Sequence, residues 1–255
     1  MSKRIFIDGS INSELCIIAA DGQEINYFDY LDELATSKKN NIYLGTVSRV
    51  EPSLQAAFIE FGSEKKAFLP FDEIHPSYFK IPHNEKILAD GTQKNNEIDD
   101  EKESKKHFLS FYRKYKIQDV IKKDQVLLIQ IVKEERGTKG AAITTFISLP
   151  GRYSVLLPNN SSTGGVSKKI SNPLDRKRLK KLHDNFNLPD GMSLIIRTNA
   201  ISAEDEDIIA DFSYLRKLWT KIREDTLKSK APVLITELDT PIIKVARDFN
   251  QRTIE

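Results

Sequence analysis

The 255 residues carry 39 lysines and arginines against 37 aspartates and glutamates, a net charge of +2, so global charge points to no class of partner. The length suits one large or two ordinary domains with a sizeable core. The single cysteine, Cys16, excludes an intramolecular disulfide and a cysteine-based zinc site within the chain. No apolar run reaches membrane-span length and no signal-peptide hydrophobic region opens the chain, which predicts a soluble cytoplasmic protein with no membrane segment.

In chain order, Arg4–Asp8, Leu15–Ala20 and Glu24–Tyr30 read as three antiparallel strands separated by turn-forming DGS and DGQ. Cys16 lies in the apolar middle run and reads as a buried small hydrophobe. Asp8 closes the first strand and reads as a turn residue. A metal site there would need further converging carboxylates, and the sequence offers none at a recognisable spacing.

Residues 41–74 come next, as NIYLGTVSRVEPSLQAAFIEFGSEKKAFLPFDEI. The reading is strand (Ile42–Val50), break at Glu51-Pro52-Ser53, strand (Gln55–Phe61), reversal at Gly62, strand (Lys66–Leu69), short helix. Alternation puts Ala57, Ile59 and Phe61 on one face and Ala56, Phe58 and Glu60 on the other. Ala67 and Leu69 likewise oppose Lys66 and Phe68. Each strand therefore sends one phenylalanine to its charged face. Such rings either cover one end of a small barrel or offer a flat platform to a nucleobase.

Residues 84–107 are charged, poor in apolar residues and without a period, which predicts a loop inserted in the barrel. Phe108–Tyr115 reads as partly helical and partly packed. Val126–Val132 and Ala141–Ile147 are strands flanking a glycine-bearing loop, KEERGTKG. Five short strands with one long insertion suit an oligonucleotide-binding (OB) barrel. Lys139, between Gly137 and Gly140, can approach a backbone phosphate closely, although the spacing of a Walker loop is absent.

Beyond the barrel come a strand at Gly151–Leu157, a helix at about Asp175–Asn185 and a strand at Met192–Ile196. A long helix capped by Ser202 then carries the apolar stripe Ile208, Phe212, Leu215, Trp219 and Ile222. The acids Asp205, Asp207 and Asp211 read as cap and solvent face. Strand Val233–Leu238 and a helix from Ile242 to Phe249 complete the reading. Between Lys133 and Lys181 eleven basic residues face three acidic ones, a local excess of +8 that suits phosphates or a solvated face. The four histidines, His75, His83, His107 and His183, form no ligand spacing, and no Ser/Cys–His pair suggests a nucleophile.

Several segments together resemble the amino-terminal part of the bacterial ribonuclease E/G family. They are Asn41–Val47, Arg49–Ile59, Phe68-Leu-Pro, Lys133–Leu149, Leu157-Pro-Asn-Asn, Gly164-Gly-Val-Ser and Arg197-Thr, and the resemblance covers nearly the whole chain apart from 84–113. It implies an α+β architecture of three parts. An OB-fold β-barrel of the ribosomal-protein S-one type (39–146, with the insertion at about 84–113) and a 5′-sensor α/β subdomain with the long helix (147–230) are inserted in an incomplete RNase H-like subdomain (1–38 and 231–255). It assigns single-stranded RNA to Phe58, Phe68 and Lys139. A 5′-monophosphate falls to Arg197, Thr198, Gly151 and Val155, with Lys168 and Lys169 where two basic residues are expected.

In the family, cutting depends on a downstream subdomain whose aspartates hold Mg²⁺, and a cysteine pair beyond it shares structural zinc between subunits of a homo-oligomer. The expectation is therefore a chain that binds RNA and its 5′ end, with no catalytic or metal-ligating residue of its own and no cofactor within it, and does not cut alone. Two alternatives stand beside it. One is a complete enzyme working through Asp8. The other is a free-standing RNA-binding regulator without nuclease activity.

Overall fold

The computed structural model describes residues 3–11, 14–32, 37–81, 112–160 and 164–249. The fold is mixed α+β. Strands β1 (Lys3–Ile11), β2 (Glu14–Asp21) and β3 (Glu24–Asp32) form an antiparallel meander, as the sequence predicts. Asp8 is not a turn residue: it sits inside β1, opposite Cys16 and ahead of a register shift. Cys16 is half-buried rather than buried. The reason is alternation: Ile17 and Ala19 take the buried face of β2, so Cys16 must point the other way, with Ile18. That outer face carries Phe6 and Phe28, both paired with Ile18 and both more than half exposed.

The barrel is built from β4 (Ile42–Glu51), β5 (Ala56–Glu60), β6 (Ala67–Pro70), β7 (Val126–Lys133) and β8 (Ala142–Thr144). The hydrogen-bonded order is β4-β5-β6-β8-β7, and the β4–β7 pairing closes it. β6 and β8 are parallel and every other pair is antiparallel. Five strands in this order, closed on themselves, make an OB-like barrel. Val47, Ala57, Ile59, Phe61, Leu69, Leu127, Ile129 and Ile143 fill it, and Ala57, Ile59, Phe61 and Leu69 are on the faces that period-two alternation groups together. Ala56 is also fully buried, so the outward face of β5 begins at Phe58.

Gln55 belongs to the turn and not to β5. It takes a left-handed conformation, φ 45°, after the 3₁₀ turn Pro52–Leu54. There its side chain donates to Pro52 O at 2.7 Å and accepts from Ile117 N at 3.1 Å, tying the turn to helix α1 (Ile117–Val120). The predicted strand 141–147 is shorter than expected. It stops at Thr144 because Thr145 bonds instead across the barrel end: Thr145 N–H donates to Glu73 O, and its hydroxyl accepts from His75 N. All but residues 112 and 113 of the expected insertion lie outside the described residues. Of the predicted packed segment 108–115, Tyr112 packs edge-on to Phe71 and Phe79 and donates to Ile74 O, and burial raises its phenol pKa.

A second sheet holds β9 (Leu149–Pro150), β10 (Ser154–Leu157), β11 (Gly165–Val166) and β12 (Ser193–Ile196), in the order β11-β12-β10-β9. Helix α2 (Pro173–Asp184) is capped by the Asn172 side chain, which accepts from Leu174 N. Helix α3 (Asp205–Lys228) packs the predicted stripe, with Ile208, Phe212, Leu215 and Ile222 buried. Ser202 does not cap it. The N-cap is Glu204, without a side-chain cap bond, and the entry is held instead by Arg178. That guanidinium donates to Ala200 O, Ile201 O, Ala203 O and Asp205 Oδ1 at 2.9–3.0 Å.

Strand β13 (Val233–Thr236) adds to the free edge of β4, antiparallel, and helix α4 (Pro241–Phe249) lies against β2 and β3. Asn40 and Asn41, at the entrance to the barrel, bond to Asp239 Oδ2 and Leu238 N of this last segment. Buried Gln130 ties the barrel to the approach to the second sheet, donating to Asn40 O and Ser148 O and accepting from Ser148 N. Among the described residues no helix is long and apolar enough to cross a membrane.

Candidate nucleic-acid interface

On the barrel, β5 and β6 pair in a register that sets Phe58 directly opposite Phe68, with Arg49 of β4 opposite Phe58 on its other side and Ala142 of β8 opposite Phe68. One transverse row therefore crosses four strands as Arg49, Phe58, Phe68, Ala142. The two rings are half-buried, 5.9 Å apart between centroids at 68°, the edge-to-face geometry aromatic pairs prefer. The Arg49 guanidinium carbon lies 4.8 Å from the Phe58 centroid. Ala142 keeps the far end of the row low. The inward neighbours Ala57, Ile59, Ala67 and Leu69 are fully buried, so the barrel core is complete without these two rings.

Lys139 reaches the same region through its loop. Arg136 and Lys139 exchange backbone bonds of 3.1 and 3.0 Å around Gly137, whose φ is +57°, a conformation glycine adopts at little cost. Lys65 Nζ donates to Gly137 O at 2.6 Å, and Phe68 N donates to Ala141 O at 2.7 Å. Gly140 is pressed so closely on β6 that a Cβ there would stand 1.9 Å from Lys66 O. The loop is stitched to the start of β6, two residues ahead of Phe68, and Lys139 itself is exposed.

The second constellation gathers around the loop 150–154. Gly151 N donates to Ser154 O, and Arg197 N donates to Tyr153 O, so the loop and the end of β12 face each other. Arg197 Nη1 donates to Gly151 O and stands 3.9 Å from Asp248 Oδ1. Thr198 is the exposed first residue of the 3₁₀ turn Thr198–Ala200, whose Ala200 is buried. Val155, half-buried in β10, pairs with both Pro150 and Ile195. Lys168 and Lys169 are exposed and come just after β11, which runs parallel to β12; Ser167 N donates to Ile196 O at 2.9 Å, setting the lysine turn beside Arg197. Backbone pairing thus sets the segments that carry these six residues side by side, and the two exposed lysines are point charges rather than forks.

What holds this loop was not expected from the sequence. Asp211 of α3 accepts from Arg152 N (2.9 Å), Tyr153 N (3.1 Å), Ser154 N (2.9 Å) and the Ser154 hydroxyl (2.7 Å). Asp211 is therefore a loop clamp and not a solvent-facing acid. Gly151 is required beside it, since a Cβ there would lie 2.5 Å from Asp211 Oδ2. A signal was available: Asp211 is three residues after Ile208 and four before Leu215, so it lies on the buried stripe, where an acid needs partners. The Tyr153 phenol is pushed up by burial, partly offset by the Arg152 charge 5.0 Å from its ring.

Other predicted roles also shift. Arg176 and Arg178 of the basic block are spent on carbonyls, Arg176 on Ser167 O and Ile170 O. Asn159, in the motif Leu157-Pro-Asn-Asn, bridges barrel and second sheet, donating to Thr145 O and accepting from Ile147 N. Among the described residues no three His, Cys, Asp or Glu gather as a metal site. The donor set for Mg²⁺ or zinc is thus not found around Asp8 or elsewhere in the described part.

The sequence can also be compared with known proteins. Residues 148–255 match the profile described as the ribonuclease E/G family. Over 252 residues, 99% of the chain, it is 36% identical to ribonuclease E of Buchnera aphidicola subsp. Schizaphis graminum and 37% identical to ribonuclease E of Escherichia coli K12. It is 34% identical over 240 residues to ribonuclease G of Escherichia coli K12. The chain spans 23%, 21% and 43% of the length of these three relatives, respectively.

Proposed function

The chain belongs to the ribonuclease E/G family, and on that premise we propose that it is the RNA-engaging portion of an RNA-processing protein of that type, acting in RNA decay and maturation. It reads RNA twice. The barrel face takes single-stranded RNA, with bases on Phe58 and Phe68 and a phosphate near Lys139. The loop at 150–154 takes the 5′-monophosphate, with Arg197, Thr198, Lys168 and Lys169 around it and the Gly151 and Val155 backbone beside it.

The observation that carries this reading is the transverse row Arg49–Phe58–Phe68, two half-exposed rings that the barrel core does not need. A base on such a ring is worth about 1–3 kcal/mol. The second site rests on guanidinium chemistry. Arg197 is tethered through Nη1 alone, and no other hydrogen bond from its guanidinium is made among the described residues. The remaining fork is suited to two parallel bonds to phosphate.

The same contacts support the subdomain reading. The opening meander with α4 forms the RNase H-like part, the barrel the S-one-type part, and β9–β12 with α2 and α3 the 5′ sensor. Phosphodiester cleavage, with its Mg²⁺, the structural zinc and any homo-oligomer, is assigned to sequence beyond the matched part, since the ribonuclease E relatives are more than four times as long.

The test is binding of a short single-stranded RNA carrying either a 5′-monophosphate or a 5′-hydroxyl, monitored by fluorescence anisotropy. The parent prefers the monophosphate, Arg197→Ala abolishes that preference, and Phe58→Ala weakens both strands equally. Binding indifferent to the 5′ group, and unchanged in Arg197→Ala, would instead favour a free-standing RNA-binding regulator.

A further inference from the structure

Beside Phe58 a groove of about 650 Å³ opens on the barrel. Its wall is formed by Ser48, Arg49 and Val50 of β4, Lys66 just before β6, Gln118 of α1, and Ile121, Lys122 and Lys123 just after α1. Four of these side chains are cationic, and among the described residues no carboxylate lines the groove.

Neutral oxygens take up some of the donors without cancelling the charge. Lys66 Nζ donates to Ser48 Oγ at 2.5 Å, and Lys122 Nζ donates to Gln118 O at 3.0 Å. Among the described ion pairs of these four cations, the one carboxylate is Glu51, at 4.0 Å from Arg49 Nε, and its Oε1 already accepts from the Ser53 hydroxyl. The lysine turn is firmly placed: Asp124 N donates to Val47 O and Val47 N to Gln125 O, which sew it to β4. Four like charges held together by the fold raise the local potential for an anion well above that of scattered surface lysines.

We propose that this groove binds consecutive phosphates of the single-stranded RNA whose bases lie on Phe58 and Phe68. Arg49 belongs to both features, lining the groove while its guanidinium lies on the Phe58 ring. The ribose-phosphate backbone runs from the platform into the groove, and the groove reads charge and not base identity. This inference rests on the barrel-face reading above for the identity of the ligand.

The test uses the whole chain and two short single strands of equal length, both with a 5′-hydroxyl so that the phosphate loop is silent. One is ordinary RNA and the other carries ribose-phosphate without bases. The double variant Lys122→Ala/Lys123→Ala weakens both strands alike. The slope of log K against log salt becomes shallower by about 0.7 for each phosphate no longer held, so by about 1.4 if each lysine holds one. Phe58→Ala weakens only the base-bearing strand.

A lysine variant that binds both strands like the parent, with the parent slope, overturns the groove. Weaker binding in the lysine variant with none in Phe58→Ala supports the groove and overturns the aromatic platform. Displacement of the RNA from the parent, but not from the lysine variant, by poly-glutamate of equal charge and at equal concentration would assign the groove to an acidic protein segment and overturn the RNA assignment.

Discussion

The barrel face and the loop at 150–154 are the two surfaces proposed to meet RNA, yet they are held by different forces. The Phe58–Phe68 row is a by-product of strand pairing. Once β5 and β6 take their register, the two rings must meet, and their own packing adds little to the core. The loop at 150–154 has no ladder to hold it between Pro150 and Ser154. Its N–H groups turn inward to a carboxylate some 57–59 residues away in sequence. A platform on a rigid sheet tolerates change at its surface, whereas a loop clamped by one half-buried acid does not.

The largest expected effect lies on the loop side. Asp211→Ala leaves three backbone N–H groups and the Ser154 hydroxyl without their acceptor, which lowers stability by about 3–5 kcal/mol in chemical denaturation. Asp211→Asn keeps one acceptor oxygen and loses less. A change below about 1 kcal/mol in the alanine variant would mean that the clamp is not what orders the loop.

On the barrel side, Phe58→Ala and Phe68→Ala each weaken single-stranded RNA binding by about 1–3 kcal/mol. Their stability stays within about 1 kcal/mol of the parent. A larger stability loss than binding loss would make the rings core cover and dissolve the contrast.

Asp248 offers a subtler test. Its carboxylate is gripped by Arg247 at 3.1 and 3.2 Å and lies 3.9 Å from Arg197. Asp248→Asn loosens the Arg197 tether, so the preference for a 5′-monophosphate falls severalfold while 5′-hydroxyl RNA binds unchanged. Equal losses on both strands would point to a general defect rather than to Arg197.

The smallest effect concerns the start of the Lys139 loop. The Ser37 hydroxyl, helped by the Lys39 and Lys38 amides against partial burial, holds the Glu134 carboxyl below its usual value of 4.5. A carboxyl whose pKa is depressed by folding stabilises above the ordinary range, and that contribution fades as pH falls through the folded value. Ser37→Ala therefore costs a few tenths of a kcal/mol at neutral pH, because the pair is exposed and screened. The difference from the parent vanishes in acid. A gap that persists at low pH would assign the loss to something other than this carboxylate.

The legible and illegible parts divide along the same line. Alternation in residues 55–69 named the inward set and the two outward rings, because side-chain direction in a strand depends only on position. The stripe on α3 was legible for the same reason at helical period. Gln55 and Cys16 were misplaced because their environments come from the 3₁₀ turn bonded to α1 and from the sheet face that α4 covers. Asp211 sat on the stripe in plain view, but its partners are amides of a distant loop, and amides carry no sequence signature. Ser202 has the chemistry of a cap, yet Arg178 from α2 holds that entry instead.

Local periodicity and the ordered motifs by themselves determined most of the strands and helices, the five-stranded barrel and the family resemblance, since each depends on neighbours in the chain or on residue identity. Tertiary structure alone decided which charges are available to a ligand. Arg176 and Arg178 are taken up by carbonyls, Arg197 is tethered by one nitrogen, and Arg49, Lys66, Lys122 and Lys123 are brought to a single groove from three separate elements. The physical reason is that a charge acts through the distance and dielectric around it, and both are set only when remote segments pack together.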